Sequence, residues 1–198
     1  MNHIALNTKI KARKNIRPVD IYEETKTLSS YVFSKPARDF VKLFTNALAG
    51  TFPAETKIRH WSFFMWQKLY LVDKSSQKTL KKIFAFEMDM RNILWIYRLK
   101  KYRNITGDAV YGYLLPVSIK LNKETLQKLV AAKDEKNMID VLKESSFKNI
   151  FSSISDFKNG EIILLKEVER QFRLKSYETN LTSFCGYIYK RFTEGKYG

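Results

Sequence analysis

The 198-residue chain is 44% hydrophobic and 14% aromatic, which excludes wholesale disorder, and its 7 Gly and 4 Pro are too few for a many-stranded sandwich or barrel. It carries 36 Lys and Arg against 20 Asp and Glu, a net charge of +16 that favours an anionic partner: nucleic acid, acidic lipid headgroups or an acidic protein. The excess is spread as +5 over residues 1–50, +7 over 51–110 and +4 over 111–198, so it is not the property of one tail.

Residues 1–18 read as an irregular basic arm ended by Pro18. Asp20 then caps a predicted helix over 20–33, with Glu23 and Glu24 in its first turn. Ser34-Lys35-Pro36 is a stop and restart, with Pro36 near the first helical position. Phe40, Leu43, Phe44, Ala47 and Leu48 recur at helical spacing up to Gly50. Phe52-Pro53 is expected to open a further helix running to about residue 72, with Ile58, Trp61, Phe64, Met65 and Leu69 on one face.

The next predicted helix, about 77–103, is the longest. Leu80, Ile83, Phe86, Met90, Ile93 and Tyr97 make one stripe, while Phe84, Met88, Trp95 and Leu99 lie off it. A helix apolar on most sides is buried on most sides, so this one should form the centre of the core. Thr106 caps a short helix over 107–114, stopped by Pro116. Asn122 caps another over 123–132, and Asp134 starts a third through 143. After the Asn159-Gly160 turn, residues 162–177 and 181–192 read as the last two helices. The fold class is therefore all-α, in helical lobes. Residues 1–50 are read as a basic arm and helices packing with the C-terminal helices, and residues 51–198 as the main helical domain.

Reactive chemistry is sparse. His3 and His60 are the only histidines and Cys185 the only thiol, so no zinc motif exists, no cofactor is expected, and no intrachain disulfide can form. A single cysteine suits a reducing, cytosolic compartment, and residues 1–10 lack a signal-peptide core. The apolar stretches 61–72 and 83–97 are interrupted by charged or amide side chains and fall short of a membrane span, so the protein is expected to be soluble or peripheral. Gly107 and Gly112 have the glycine gap of a phosphate loop, but Tyr113-Leu114 stand where Lys-Ser/Thr is needed. Glu87 and Asp89, two apart on a helix, point to different faces, whereas Asp89 and Asn92 share one and are expected to make interhelical hydrogen bonds in a partly buried interface, with a substrate contact as the alternative. Arg98, Lys100, Lys101 and Arg103 form a basic helix end suited to the helix dipole or to an anionic contact. Trp61, Trp66, Tyr111 and Tyr113 are read first as packing aromatics and second as contact residues.

Residues 86–121 run Phe-Glu-Met-Asp-Met-Arg-Asn-Ile-Leu-Trp-Ile-Tyr-Arg-Leu-Lys-Lys-Tyr-Arg, continue through Gly107-Asp108, and reach Leu115-Pro116. This stretch closely resembles the C subunits of bacterial V-type ATPases, relatives of the eukaryotic d subunit. The residues that carry the resemblance are Asp89, Asn92, Trp95, Ile96, Tyr97, Arg98, Lys100, Lys101, Tyr102, Leu115 and Pro116. Asn7 to Ala12 resembles the opening of that family, and residues 126–147 its Leu-rich helix pair. The chain is shorter than the usual three-lobed member, so fewer lobes are expected.

The resemblance implies a non-catalytic subunit seated on the membrane rotor ring and receiving the foot of the central stalk, with ATP hydrolysis in other subunits. It implies a place on the cytoplasmic face of the membrane, with anionic lipid within reach. It marks Asp89, Asn92, Trp95, Tyr97, Arg98, Lys100, Lys101 and Tyr102 as motif and interface residues. The rival reading is a basic helical nucleic-acid-binding protein, permitted by the charge and the interleaved aromatics. No helix-turn-helix or other nucleic-acid module supports it.

Overall fold

The computed structural model describes residues 32–197 together with Glu23 and Lys26, and the side chains of this set as far as Glu194. The basic arm, and most of the helix expected over 20–33, lie outside the described residues. Those described form helices and turns, with no strand among them. In chain order the helices are α1 (Lys35–Leu48), α2 (Trp61–Gln67), α3 (Lys74–Arg103), α4 (Lys123–Ala131), α5 (Glu135–Lys143), α6 (Lys148–Phe151), α7 (Gly160–Lys175) and α8 (Asn180–Tyr197). Short 3-10 turns occupy Leu69–Leu71 and Gly107–Tyr113.

The all-α reading is what the structure shows. α1 starts after Ser34, with Pro36 in its first turn, and ends at Leu48, beyond which Gly50 turns the chain at a φ of +79°, a left-handed conformation that glycine tolerates best. The helix expected from Phe52 instead begins at Trp61. Pro53 heads a turn, with the Thr56 N–H donating to the Pro53 carbonyl at 3.0 Å, and His60 takes the extended backbone that precedes a helix. Proline's fixed φ serves a turn as well as a first helical turn, and the threonines on either side add no helical preference.

α3 is the spine. Its 30 residues span roughly 45 Å at the usual rise. Asp73 caps it by accepting from the Ser76 N–H at 3.0 Å. Asn104, at φ 53°, turns the chain away at the other end, while the Ile105 N–H reaches back to the Leu99 carbonyl at 3.1 Å. Buried residues occur on every side of it between Ser76 and Tyr97, as its all-round apolar pattern requires.

Around α3 pack α2 and the first 3-10 turn on one flank, α7 and α8 on another, and α4 with the second 3-10 turn near its C-terminal half. α1 lies against α2 and α8. Phe40, Phe44, Phe84, Trp61, Phe172 and Tyr189 interlock where these helices meet. Phe44 and Phe84 each meet Trp61 edge-on with ring centroids 5.7 Å apart. One cluster of buried residues runs from Phe40 to Tyr189 and includes residues of every α-helix. Cys185 is buried within it, and burial pushes its thiol well above the ordinary range, so it packs as a small apolar group.

Candidate functional site

The motif residues sit on the C-terminal two-thirds of α3, and helical geometry sends them to three different places. Asp89 and Asn92, three apart, face the segment at residues 115–121 that follows the second 3-10 turn. Asp89 Oδ2 accepts from the Lys120 N–H at 2.8 Å and from the Ile119 and Leu121 N–H groups at 3.3 Å, and Oδ1 accepts from the Ser118 hydroxyl at 2.6 Å. Asn92 pairs with Leu115 in both directions. Its amide donates to the Leu115 carbonyl at 3.1 Å, and its Oδ1 accepts from the Leu115 N–H at 2.8 Å. The two side chains staple an irregular strap to the spine. The hydrogen bonding is present in a buried interface, but it is not interhelical: the partner is this strap. Burial pushes the Asp89 carboxyl above its ordinary value, against the opposing pull of Ser118 and the three backbone donors.

Glu87 faces elsewhere, as its spacing from Asp89 predicts. It is fully buried and accepts from the Ser62 hydroxyl of α2. Arg91, one turn on, lies 3.2 Å from Glu87 and 2.7 Å from Glu161 at the start of α7. Arg98 reaches the other oxygen of Glu161 at 3.1 Å. A chain of charge thus runs from α2 through α3 to α7. Burial disfavours ionisation of Glu161, but Arg91 and Arg98 outweigh it and hold its pKa below the usual value. Burial likewise opposes the Arg91 charge, and Glu87 and Glu161 more than offset it. Gly160 makes this approach feasible, since a Cβ there would stand 2.5 Å from Leu94 Cδ2.

His60 closes the chain. Its Nδ1 lies 3.0 Å from Ser62 Oγ and 3.7 Å from Glu87, and its ring meets Trp95 edge-on at 5.7 Å. Burial lowers its pKa below 6.5, with Glu87 opposing and Arg91 assisting. A lowered folded pKa means the unfolded chain takes up a proton first as the pH falls. The stability His60 contributes is present above about 6.5 and is lost as pH drops toward and through the folded value. In an NMR titration His60 should therefore titrate below 6.5, and His60→Gln should lose less stability than the parent between pH 7.5 and 5. Titration of His60 at or above 6.5 would contradict this.

The third direction holds the basic end. Lys100 donates to the carbonyls of Leu129 at 3.2 Å, Val130 at 2.8 Å and Ala132, capping the C-terminus of α4 instead of its own helix, and burial lowers its pKa. Lys101 donates to the Tyr97 hydroxyl and lies 3.3 Å from Glu135, and these partners raise its pKa. Arg98 and Tyr102 turn outward, and Trp95, half-buried against the cluster of Ala85, Met88 and Leu115, lies beside them. With Leu99, Arg103 and Tyr113 they line a surface groove of about 460 Å³. Of the aromatics read first as packing residues, Tyr113 is 54% exposed here, while Trp61 belongs to the core edge.

The eight motif residues therefore divide into a staple (Asp89, Asn92), a bracing pair with a helix cap (Tyr97, Lys101, Lys100) and an open groove (Trp95, Arg98, Tyr102). Leu115, already part of the motif, pairs with Asn92, whereas Glu161, Ser62 and residues 118–121, which complete these arrangements, were not among the residues singled out. Only Glu161 carried a cue, an acidic residue in the first turn after Asn159-Gly160. Among the described residues no His, Cys, Asp and Glu cluster could hold a metal ion, and no helix is long and apolar enough to cross a membrane.

The profile of the ATP synthase (C/AC39) subunit family matches residues 62–189, from the first turn of α2 to the middle of α8. No curated protein and no solved structure matches the chain.

Proposed function

Because the chain belongs to the ATP synthase (C/AC39) subunit family, we propose that it is the non-catalytic coupling subunit of a V-type ATPase, joining the central stalk to the membrane rotor ring. The observation that carries this reading is the family match over a body organised on one spine. A part that passes torque by contact needs stiffness and shape more than a reactive group. α3 supports that role: from Ile83 to Tyr97 it is covered on all sides, and it is tied to α2, to α7 and to the strap by charged and polar side chains. On this reading the protein sits peripherally on the cytoplasmic face, ATP hydrolysis and ion passage belong to other subunits, and anionic lipid around the ring meets its positive field.

The test is a pull-down of the tagged full chain from solubilised native membranes, with co-purifying chains identified by mass spectrometry. The expected result is recovery of rotor-ring and central-stalk subunits. Recovery of nucleic acid with no ATPase subunit would overturn the reading in favour of a nucleic-acid binder, which the charge of +16 by itself permits.

A further inference from the structure

We propose that the groove on the exposed face of α3 is a docking site for an acidic amphipathic helix of a partner protein. The proposal rests on the coupling role above and names the chemistry of one of its contacts. The lining supports it. Trp95, Arg98, Leu99, Tyr102 and Arg103 recur at intervals of three and four, so they share one face of the helix, and Tyr113 forms the opposite wall. Tyr102 is 67% exposed and Tyr113 54%, so two large aromatic rings stand in solvent beside one another's groove. Rigid aromatics with arginine are the residue types that anchor interfaces.

Charge selects the occupant. The lining contains two arginines and no carboxylate. Arg98 spends one nitrogen on Glu161 and keeps its side chain 47% exposed, and Arg103 makes no ion pair among the described residues. A second copy of the chain would bring another net +16 to this face. The chain's own residues 1–18 would bring Lys9, Lys11, Arg13, Lys14 and Arg17 without one carboxylate. Both are repelled. Nucleic acid needs a continuous cationic track for its backbone. Here Lys100 is turned away to the carbonyls of Leu129, Val130 and Ala132, and Lys101 is held on Glu135. What fits is an apolar side chain seated between Trp95, Leu99 and Tyr113, with carboxylates one turn away on Arg98 and Arg103.

The experiment measures fluorescence anisotropy of the full chain with an 18-residue fluorescein-labelled helical peptide carrying leucines on one face and glutamates flanking them. Controls are the same peptide with Lys for Glu, and a labelled oligothymidylate. The acidic peptide should bind, the lysine peptide should not, and Arg98→Glu/Arg103→Glu should weaken binding roughly tenfold or more. Tyr102→Ala, at an exposed position, should also weaken it with the fold intact by circular dichroism. Equal binding of the lysine peptide, indifference to the double reversal, or binding of the oligothymidylate in place of the acidic peptide would overturn the proposal. The same double variant belongs in the membrane pull-down. ATPase subunits recovered equally with parent and variant sink the groove alone, whereas none recovered with the parent sinks the coupling role itself.

Discussion

Arg91→Met should cost about 3–5 kcal/mol of folding stability, measured by urea denaturation at pH 7. Arg91 is mostly buried between two carboxylates, and one of them, Glu87, has no exposed surface. Removing the guanidinium leaves Glu87 as a buried charge whose remaining donor is the Ser62 hydroxyl. Glu161 keeps Arg98 and loses less. Glu161 sets a pH dependence in the parent. Its pKa is held below 4.5, so its contribution is complete above that pH and is lost as pH falls through the folded value. Adding Glu87→Gln to Arg91→Met should restore part of the loss, since the buried charge goes with it. A loss under about 1 kcal/mol would mean the pair is worth no more than a surface ion pair and that the spine does not depend on it.

Asp89→Ala should destabilise by about 2–4 kcal/mol, with Asp89→Asn between it and the parent. Its carboxylate receives four donors, three of them backbone N–H groups of the strap at residues 119–121. Alanine leaves those donors without an acceptor, whereas asparagine keeps one carbonyl oxygen for them. The loss should also be local. Asn92 still holds Leu115, so the strap should loosen first near Ile119, and limited proteolysis should cut the alanine variant there before the parent. Unchanged cleavage together with unchanged stability would show that the strap is held by Leu115 and Leu121 packing instead.

What the sequence made readable follows physical range. α3 announces itself because the all-round apolar pattern and the basic last turn are local signals of one helix, although the Asp73 cap starts it at Lys74 and not at about residue 77. The caps at Asn122 and Asp134 accept from the N–H three residues on, at 2.8 Å in both cases, as short-range capping chemistry demands. The start of α2 was misread because Pro53 suits a turn and a helix start alike, and only the packing of Trp61 against Phe44 and Phe84 decides between them. α6 carries too few residues for a periodic signal. The site behaves the same way. That Asp89 and Asn92 share a face follows from their spacing; that their partners lie 23 to 32 residues away in a segment without regular structure does not. Ser62 with Glu87, and Arg91 with Glu161, meet across 25 and 70 residues, which no local pattern encodes. The basic helix end looked uniform in sequence, and only the neighbouring helices divide it into a cap, a brace and an open groove.

The burial of α3 also sets a gradient in time. Its amides from about Ile83 to Tyr97 lie under buried or half-buried side chains, so their hydrogens should exchange with solvent only when the whole domain opens. Beyond Tyr97 the helix emerges, and from Lys101 to Asn104 its residues are exposed. Those amides should exchange through local fraying, orders of magnitude sooner. The groove residues Arg98 to Arg103 straddle that boundary, anchored to the slowest part of the molecule and extending into one of its fastest. An occupant seated there would be expected to slow exchange in the last turn of α3 and leave the middle of the helix unchanged.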